Sequence, residues 1–258
     1  MHLSSFLALS RATWLFMLCL VCALPARAET LTVAVAANVQ YAFDDLRAAF
    51  TKQTGIPVKP IFGSSGKFTA QIQTGAPFDL FVSADMEYPE ALHRAGLATS
   101  APRVYAYGTL VLWSMKDIDL SKGLALLADK GIRKVALPNP QVAPYGREAL
   151  RALQSAKLAE IVGPKLVYGE SIGQASQYIY SGIVDAGFTA KSVVLSPEMQ
   201  GKEKWVEVDP RLYTPIAQGA VILKQGQAAH PKEAQLFFDF LFSGQARAIF
   251  TRYGYRLP

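Results

Sequence analysis

Cysteine is nearly absent from this sequence of 258 residues, which contains only Cys19 and Cys22. Both lie in an amino-terminal segment that we expect to be removed, so the mature chain would have no disulfide, thiolate nucleophile or cysteine metal ligand. Strong charge is also missing, since the formal net charge is +6 and no run of four or more Lys or Arg occurs. Nucleic-acid-binding proteins usually cluster their basic residues, so the composition argues against such a partner. Apolar residues, at 51%, are sufficient for a substantial core.

The first 28 residues have the pattern of a signal peptide. Arg11 precedes an apolar run over residues 12–24, and Pro25 leads into the small-residue motif Ala-Arg-Ala. The run has 13 residues, fewer than the roughly 20 that a membrane-spanning helix needs. We therefore expect cleavage after Ala28 and export to a bacterial periplasm.

Strands and helices alternate along the rest of the chain. Alternating or continuous apolar residues predict strands near 31–35, 58–62, 79–83, 134–137 and 166–168. Helices are predicted between them, so the pattern indicates parallel sheets with covered faces. Four polar loops each join a strand to a helix, and they comprise residues 36–38, 63–66, 138–146 and 169–173.

The strand and helix units fall into two groups, which indicates two α/β lobes. Two strongly apolar stretches, 105–113 and 213–223, are predicted to be strands that cross between the lobes. The expected first lobe comprises residues 29–105 and 214–258, and the expected second lobe comprises residues 106–213. Ligands of such sheets bind beyond the carboxyl ends of the strands, so we expect the binding site in the cleft between the lobes.

The four polar loops are suited to an anion. Each delivers a helix start, where unpaired N–H groups and the peptide dipoles favour negative charge. Asn38, Ser64, Ser65 and Tyr145 add side-chain donors, whereas Glu170 is the only carboxylate in these loops. A protonated anion would need an acceptor for its own hydrogen, so the loops favour a fully ionised oxyanion. Each loop also has an ordinary interpretation: Asn38 and Ser65 could be helix N-caps, and Tyr145 could be a surface ring.

Residues 75–85, which read Gly-Ala-Pro-Phe-Asp-Leu-Phe-Val-Ser-Ala-Asp, resemble the signature of the periplasmic molybdate-binding proteins of ABC transporters. Residues 63–66 lie at the expected distance before it, and the tail over 249–255 is similar to that family's ending. The resemblance covers essentially the whole mature chain. It implies an α/β, two-lobed periplasmic-binding-protein (type II) fold with two crossing strands and a central interlobe cleft. It also implies capture of molybdate or tungstate and delivery to a membrane permease, with no catalysis and no further cofactor.

The same resemblance suggests four binding residues. Asn38 and Ser65 match side-chain donors of the first lobe, and Tyr145 matches a position that touches the oxyanion in one subgroup of the family. Ile172 matches a helix start that offers a main-chain N–H, and no residue is expected to bind the metal atom directly. Many members place a donating tyrosine where this chain has Phe188, so either Tyr145 replaces that donor or the site has one fewer.

Two alternatives are open at this point. One is a binding protein for another oxyanion, such as sulfate or thiosulfate. The other is a secreted hydrolase with Ser65 as nucleophile, whose base would have to be His93 or His230, although neither lies in a polar loop. Asp79 and Asp85 could bind a metal, but turn or N-cap roles are commoner for such residues. A shuttle that presents both lobes to a permease gains nothing from self-association, so we expect a monomer.

Overall fold

The computed structural model describes residues 30–199, 201 and 204–258. The signal peptide, residues 1–28, and its cleavage after Ala28 lie outside these residues. No helix in the described part of the chain has both the length and the apolar character needed to cross a bilayer.

The described strands form two sheets of five strands each. In chain order they are β1 (Leu31–Ala36), β2 (Val58–Gly63), β3 (Leu80–Val82), β4 (Arg103–Gly108), β5 (Leu110–Ser114), β6 (Val135–Pro138), β7 (Leu166–Gly169), β8 (Ala186–Ala190), β9 (Lys204–Glu207) and β10 (Ile216–Ile222). The first sheet has the order β2-β1-β3-β10-β4, and the second has the order β7-β6-β8-β5-β9. Each sheet with its helices is one lobe, so the predicted two-lobed α/β fold is confirmed.

The described helices follow the strands as expected for α/β units. They are α1 (Gln40–Thr54), α2 (Ser65–Gln73), α3 (Glu87–Arg94), α4 (Pro144–Ser155), α5 (Ala159–Val162), α6 (Ile172–Tyr180), α7 (Lys191–Val194), α8 (Lys224–Ala229), α9 (Pro231–Phe240) and α10 (Gly244–Arg252). Gly55 ends α1 with a φ of 74°, a left-handed conformation that favours glycine over other residues. A short 3₁₀ turn, Ala37–Val39, separates β1 from α1.

The first sheet is buried on both faces. Successive side chains of a strand point to opposite sides, and those of β1 pack against other elements on each side. Val33 and Val35 of β1 pack with Phe237 of α9 on one face. Ala34 packs with Phe68 and Phe81 on the other. The second lobe has a single large core around Trp113, which is fully buried.

The chain passes between the lobes at two places, β4 to β5 and β9 to β10. The strands of the repeated units are parallel as predicted, β1 with β2 and β3, and β6 with β7 and β8. The sheets are mixed, however, because β10 is antiparallel to β3 and β4, and β5 is antiparallel to β8 and β9. The reason is geometric. A chain that arrives from the other lobe enters a sheet at the edge where the parallel strands end, so it has to run in the opposite direction.

Candidate anion site between the lobes

A small cavity lies between the two lobes, beyond the carboxyl ends of the parallel strands. All four polar loops contribute to its wall, and Asn38, Ser65, Tyr145 and Ile172 are among the residues that line it. The four residues selected from the sequence therefore meet around one small cavity between the lobes.

Three helices begin at this cavity. The first residue of α2 is Ser65, that of α4 is Pro144 and that of α6 is Ile172. The first N–H groups of a helix have no partner within it, and the peptide dipoles make this end partially positive. Since proline has no N–H group, the first N–H of α4 is that of Tyr145. Helix starts from both lobes thus direct positive potential at one point.

Ser65 offers a hydroxyl group that is already oriented. Its side chain is fully buried, and its Oγ accepts a hydrogen bond of 3.0 Å from the main-chain N–H of Ala84. No acceptor for the hydroxyl hydrogen is found among the described residues. The oxygen is therefore occupied as an acceptor, and the hydrogen remains for a ligand.

Tyr145 is arranged in the same way from the second lobe. Its side chain is 1% exposed, and its hydroxyl oxygen accepts a hydrogen bond of 3.0 Å from Gln218 Nε2. Burial raises the pKa of Tyr145 well above its usual value of 10.0, so the hydroxyl keeps its hydrogen at neutral pH. The interpretation of Tyr145 as a surface ring is wrong, because the ring is enclosed between the lobes.

Asn38 lines the cavity from the first lobe, but its side-chain amide is hydrogen-bonded to other residues of the protein. Its Nδ2 donates to Gln218 Oε1 at 2.8 Å and to the hydroxyl oxygen of Tyr255 at 3.1 Å. Its Oδ1 is buried and has no partner in the described part of the chain. The N-cap interpretation of Asn38 is wrong, because Val39 occupies the position before α1 and makes no side-chain capping bond.

Ser64 is a further candidate that the resemblance alone does not select. It lies at the N-cap position of α2, yet its side chain makes no capping hydrogen bond. Its Oγ is buried and has no partner among the residues described. Because Ser64 also lines the cavity, its hydroxyl is a second serine donor for a ligand. The N-cap interpretation of Ser65 is likewise wrong, because Ser65 is the first residue inside the helix.

Charged side chains surround the cavity without lining it. None of the described residues in its wall is charged. Lys67 of the first lobe pairs with Glu170 of the second at 2.6 Å, and both side chains are largely exposed. Arg147 of α4 forms ion pairs with Asp85 and, at 3.2 Å, with Glu87 of the first lobe. An anion in the cavity would therefore meet dipoles and neutral donors, while the charged pairs join the lobes outside it.

The lobes also meet through main-chain atoms at α2. The N–H of Gly66 donates to the carbonyl oxygen of Val142, in the loop before α4, at 2.9 Å. A Cβ atom built on Gly66 would lie 2.9 Å from Val142 Cα and 3.0 Å from Val142 O. Only glycine allows this close an approach, so residue 66 couples the closure of the lobes to the start of α2.

The structure gives the other sequence candidates roles away from the cavity. Phe188 is fully buried in the second-lobe core and is not part of the wall. Asp79 accepts a hydrogen bond of 2.7 Å from the N–H of Thr32 and pairs with His230 at 2.9 Å. His93 lies on the exposed side of α3.

No histidine lines the cavity within the described ranges, so Ser65 has no base of the kind that a serine hydrolase needs. The described residues also contain no group of three or more His, Cys, Asp or Glu side chains that could hold a metal ion.

Comparison with known proteins places this arrangement in a family. Residues 31–256 match the family described as bacterial extracellular solute-binding proteins, and the chain belongs to that family. It is 40% identical to the molybdate-binding protein ModA of Rhodobacter capsulatus over 90% of each chain. It is 39% identical to ModA of Azotobacter vinelandii, over 90% of this chain and 92% of the relative.

A solved structure gives the same result. The periplasmic molybdate-binding protein of Azotobacter vinelandii superposes with a TM-score of 0.83 at 36% identity, covering 88% of this chain and 99% of the other. The resemblance drawn from residues 75–85 is therefore confirmed, as is the two-lobed periplasmic-binding-protein fold. These relatives are binding proteins, in agreement with an interpretation of this chain as a solute-binding protein.

Proposed function

We propose that this protein binds molybdate, and tungstate almost equally well, between its two lobes and delivers the anion to the permease of an ABC transporter. The observation that carries the proposal is the meeting of Asn38, Ser65, Tyr145 and Ile172 around one small cavity without charged walls. The relatives that bind molybdate match nearly the full length of this chain, which supports the same ligand. No further cofactor is part of this proposal.

The hydroxyl groups supply the side-chain part of the binding energy. Ser65 and Tyr145 each accept a protein N–H and retain their own hydrogen for the anion. A hydrogen bond to a charged group contributes about 1.5–3 kcal/mol net. Two such bonds, a third from Ser64 and the N–H groups of three helix starts can exceed the association cost of about 4–15 kcal/mol.

Asn38 contributes through exchange of a partner. Its amide donates to Gln218 and to Tyr255, and the hydroxyl of Tyr255 also donates to the carbonyl oxygen of Asn38 at 2.9 Å. An anion in the cavity would replace Tyr255 as the acceptor of this hydrogen bond from Asn38 Nδ2. Tyr255 would still be held by its bonds to that carbonyl and to Ser192.

Selectivity against sulfate follows from size. A smaller tetrahedral anion such as sulfate would leave some donors stretched or unpaired, which costs affinity. We expect sulfate to bind at least 100-fold more weakly than molybdate, a difference of about 2.7 kcal/mol.

Delivery requires the lobes to open and close around the anion. The parts that move are those expected from the sequence, residues 29–105 with 214–258 against residues 106–213, except that the first boundary lies after Gly108, where β4 of the first sheet ends. We propose that the mature protein begins after Ala28, acts in the periplasm as a monomer, and presents both lobes to the permease.

Calorimetric titration of residues 29–258 with molybdate, tungstate and sulfate tests the proposal. Ser65→Ala should weaken molybdate binding by about 10- to 100-fold, because it removes one charge-assisted hydrogen bond. Ser181→Ala, at an exposed serine that ends α6, is the matched control and should bind like the wild type. Comparable affinity for sulfate and molybdate would contradict the size argument. A preference for sulfate or thiosulfate would instead identify a different oxyanion transporter.

A further inference from the structure

We propose that Gln218 is the positioning residue of the anion site, which turns the hydroxyl hydrogen of Tyr145 toward the ligand and aligns Asn38 beside it. The inference rests on the proposed function, and it assigns a role to a residue that does not itself line the cavity. Gln218 lies in β10 and is fully buried.

Both polar atoms of the Gln218 side chain form hydrogen bonds with candidate binding residues. Oε1 accepts from Asn38 Nδ2 at 2.8 Å, and Nε2 donates to the hydroxyl oxygen of Tyr145 at 3.0 Å. Asn38 belongs to the first lobe and Tyr145 to the second. One amide therefore joins the two side-chain donors across the space between the lobes.

The direction of the second bond determines what Tyr145 can do. Because the phenol oxygen accepts from Gln218, the hydroxyl group has its own hydrogen left to donate. Hydrogen bonds in series also polarise one another, so a phenol that accepts from an amide becomes a better donor. If an acceptor replaced Nε2 at this position, the phenol hydrogen would turn to it and away from the ligand.

The main chain is shaped to place this amide. The register between β10 and β4 shifts at Gln218 and Gly219, a bulge of the kind that redirects a side chain next to a functional site. Gly108, at the end of β4, lies directly against the network, and a Cβ there would overlap Tyr145 Oη and Gln218 Nε2. Tyr105 adds a further contact, since its hydroxyl lies 2.8 Å from Gln218 Oε1.

Gln218→Met tests the role, because methionine has a similar length but offers no amide. In calorimetric titrations with molybdate we expect Gln218→Met and Tyr145→Phe each to weaken binding by about 10- to 100-fold. The double variant should bind molybdate no more than about threefold less tightly than the single variant with the lower affinity. The reason is that both changes remove the same donated hydrogen. If Gln218 had a purely structural role, the losses of affinity in the two single variants would multiply in the double variant.

The matched control is Ser114→Ala in β5 of the second lobe, which removes another hydrogen bond of a fully buried side chain, 2.7 Å long, from Ser114 Oγ to the carbonyl oxygen of Asp185. It should lower the melting temperature of the anion-free protein but change the dissociation constant for molybdate less than threefold. This control separates loss of stability from loss of alignment.

A second variant, Gln218→Glu, probes the direction of the bond. When ionised, its carboxylate can only accept and its charge also repels the anion, so it should bind molybdate more weakly than Gln218→Met. Multiplying losses in the double variant would overturn the proposal, as would wild-type affinity in Gln218→Met or in Tyr145→Phe. If the wild-type protein prefers another oxyanion, the same cycle run with that anion decides the role of Gln218, whereas a wild type that binds no oxyanion overturns both proposals.

Discussion

Substitution of Gly66 by alanine should weaken anion binding without weakening the fold. Gly66 is the second residue of α2, and its N–H bonds to the carbonyl oxygen of Val142 in the opposite lobe. Alanine is favoured over glycine inside a helix by about 0.5–1 kcal/mol, so the first lobe itself should not lose stability. The cost arises only when the lobes close.

The contact distances set the size of the effect. The new methyl group would lie 2.9 Å from Val142 Cα and 3.0 Å from Val142 O, both of them main-chain atoms that yield little. It would also lie 2.6 Å from the hydroxyl oxygen of Tyr88, which can turn aside as the end of a flexible side chain. Overpacking of this kind costs about 1–3 kcal/mol, which corresponds to a loss of about 5- to 150-fold in affinity.

Calorimetry with molybdate measures the loss, and small-angle scattering of the anion-free and anion-saturated protein reports whether the lobes still close. Gly131→Ala is the matched control, because a Cβ at that position meets nothing within 4 Å. Affinity within twofold of the wild type in Gly66→Ala would refute the reasoning. A melting temperature of the anion-free Gly66→Ala protein well below that of Gly131→Ala would also do so, since it would place the strain inside the lobe.

Two further outcomes are expected from charged residues. Arg147→Gln should weaken molybdate binding, measured by calorimetry, about tenfold at low salt and less at high salt. The reason is that Arg147 joins the lobes through its ion pair with Asp85. A loss of affinity that does not change with salt would contradict this. Burial raises the pKa of Asp185, but bonds from Lys116 and two main-chain N–H groups outweigh this and lower the pKa to about 2. The stability that Asp185 contributes is therefore present above about pH 4 and is lost as the pH falls through about 2. Urea unfolding should show Asp185→Asn to be less stable than the wild type at pH 7 by up to about 2 kcal/mol, with the gap closing toward pH 2; a gap independent of pH would exclude this role.

The architecture was predictable because its signals are local. Alternation over Leu31–Ala36 and helical spacing up to Gly55 give a strand, a loop and a helix at the positions where the structure has them. The directions of β5 and β10 were not predictable in this way, because they depend on the path of the chain between lobes. Hydrophobic alternation is the same in a parallel and an antiparallel strand.

The site was predictable in its residues but not in its connections. Asn38 and Ser65 precede or begin helices after strands, a pattern that a sequence can reveal. The burial of Tyr145 depends on Gly108 and Gln218, which are distant in the sequence and meet it only through the fold. The single available signal was a lone amide within the apolar stretch 213–223, where a buried polar group needs partners.

Both ends of the described chain belong to the same lobe. Residue 30 directly precedes β1, and Arg256 pairs with Tyr107 of β4. Since β1 runs toward the cavity over six residues, its start lies about 20 Å away from the cavity. A tether attached at residue 30 would therefore hold the protein by the far side of the first lobe, so it could be mounted on an electrode or a bead without covering the residues that line the cavity.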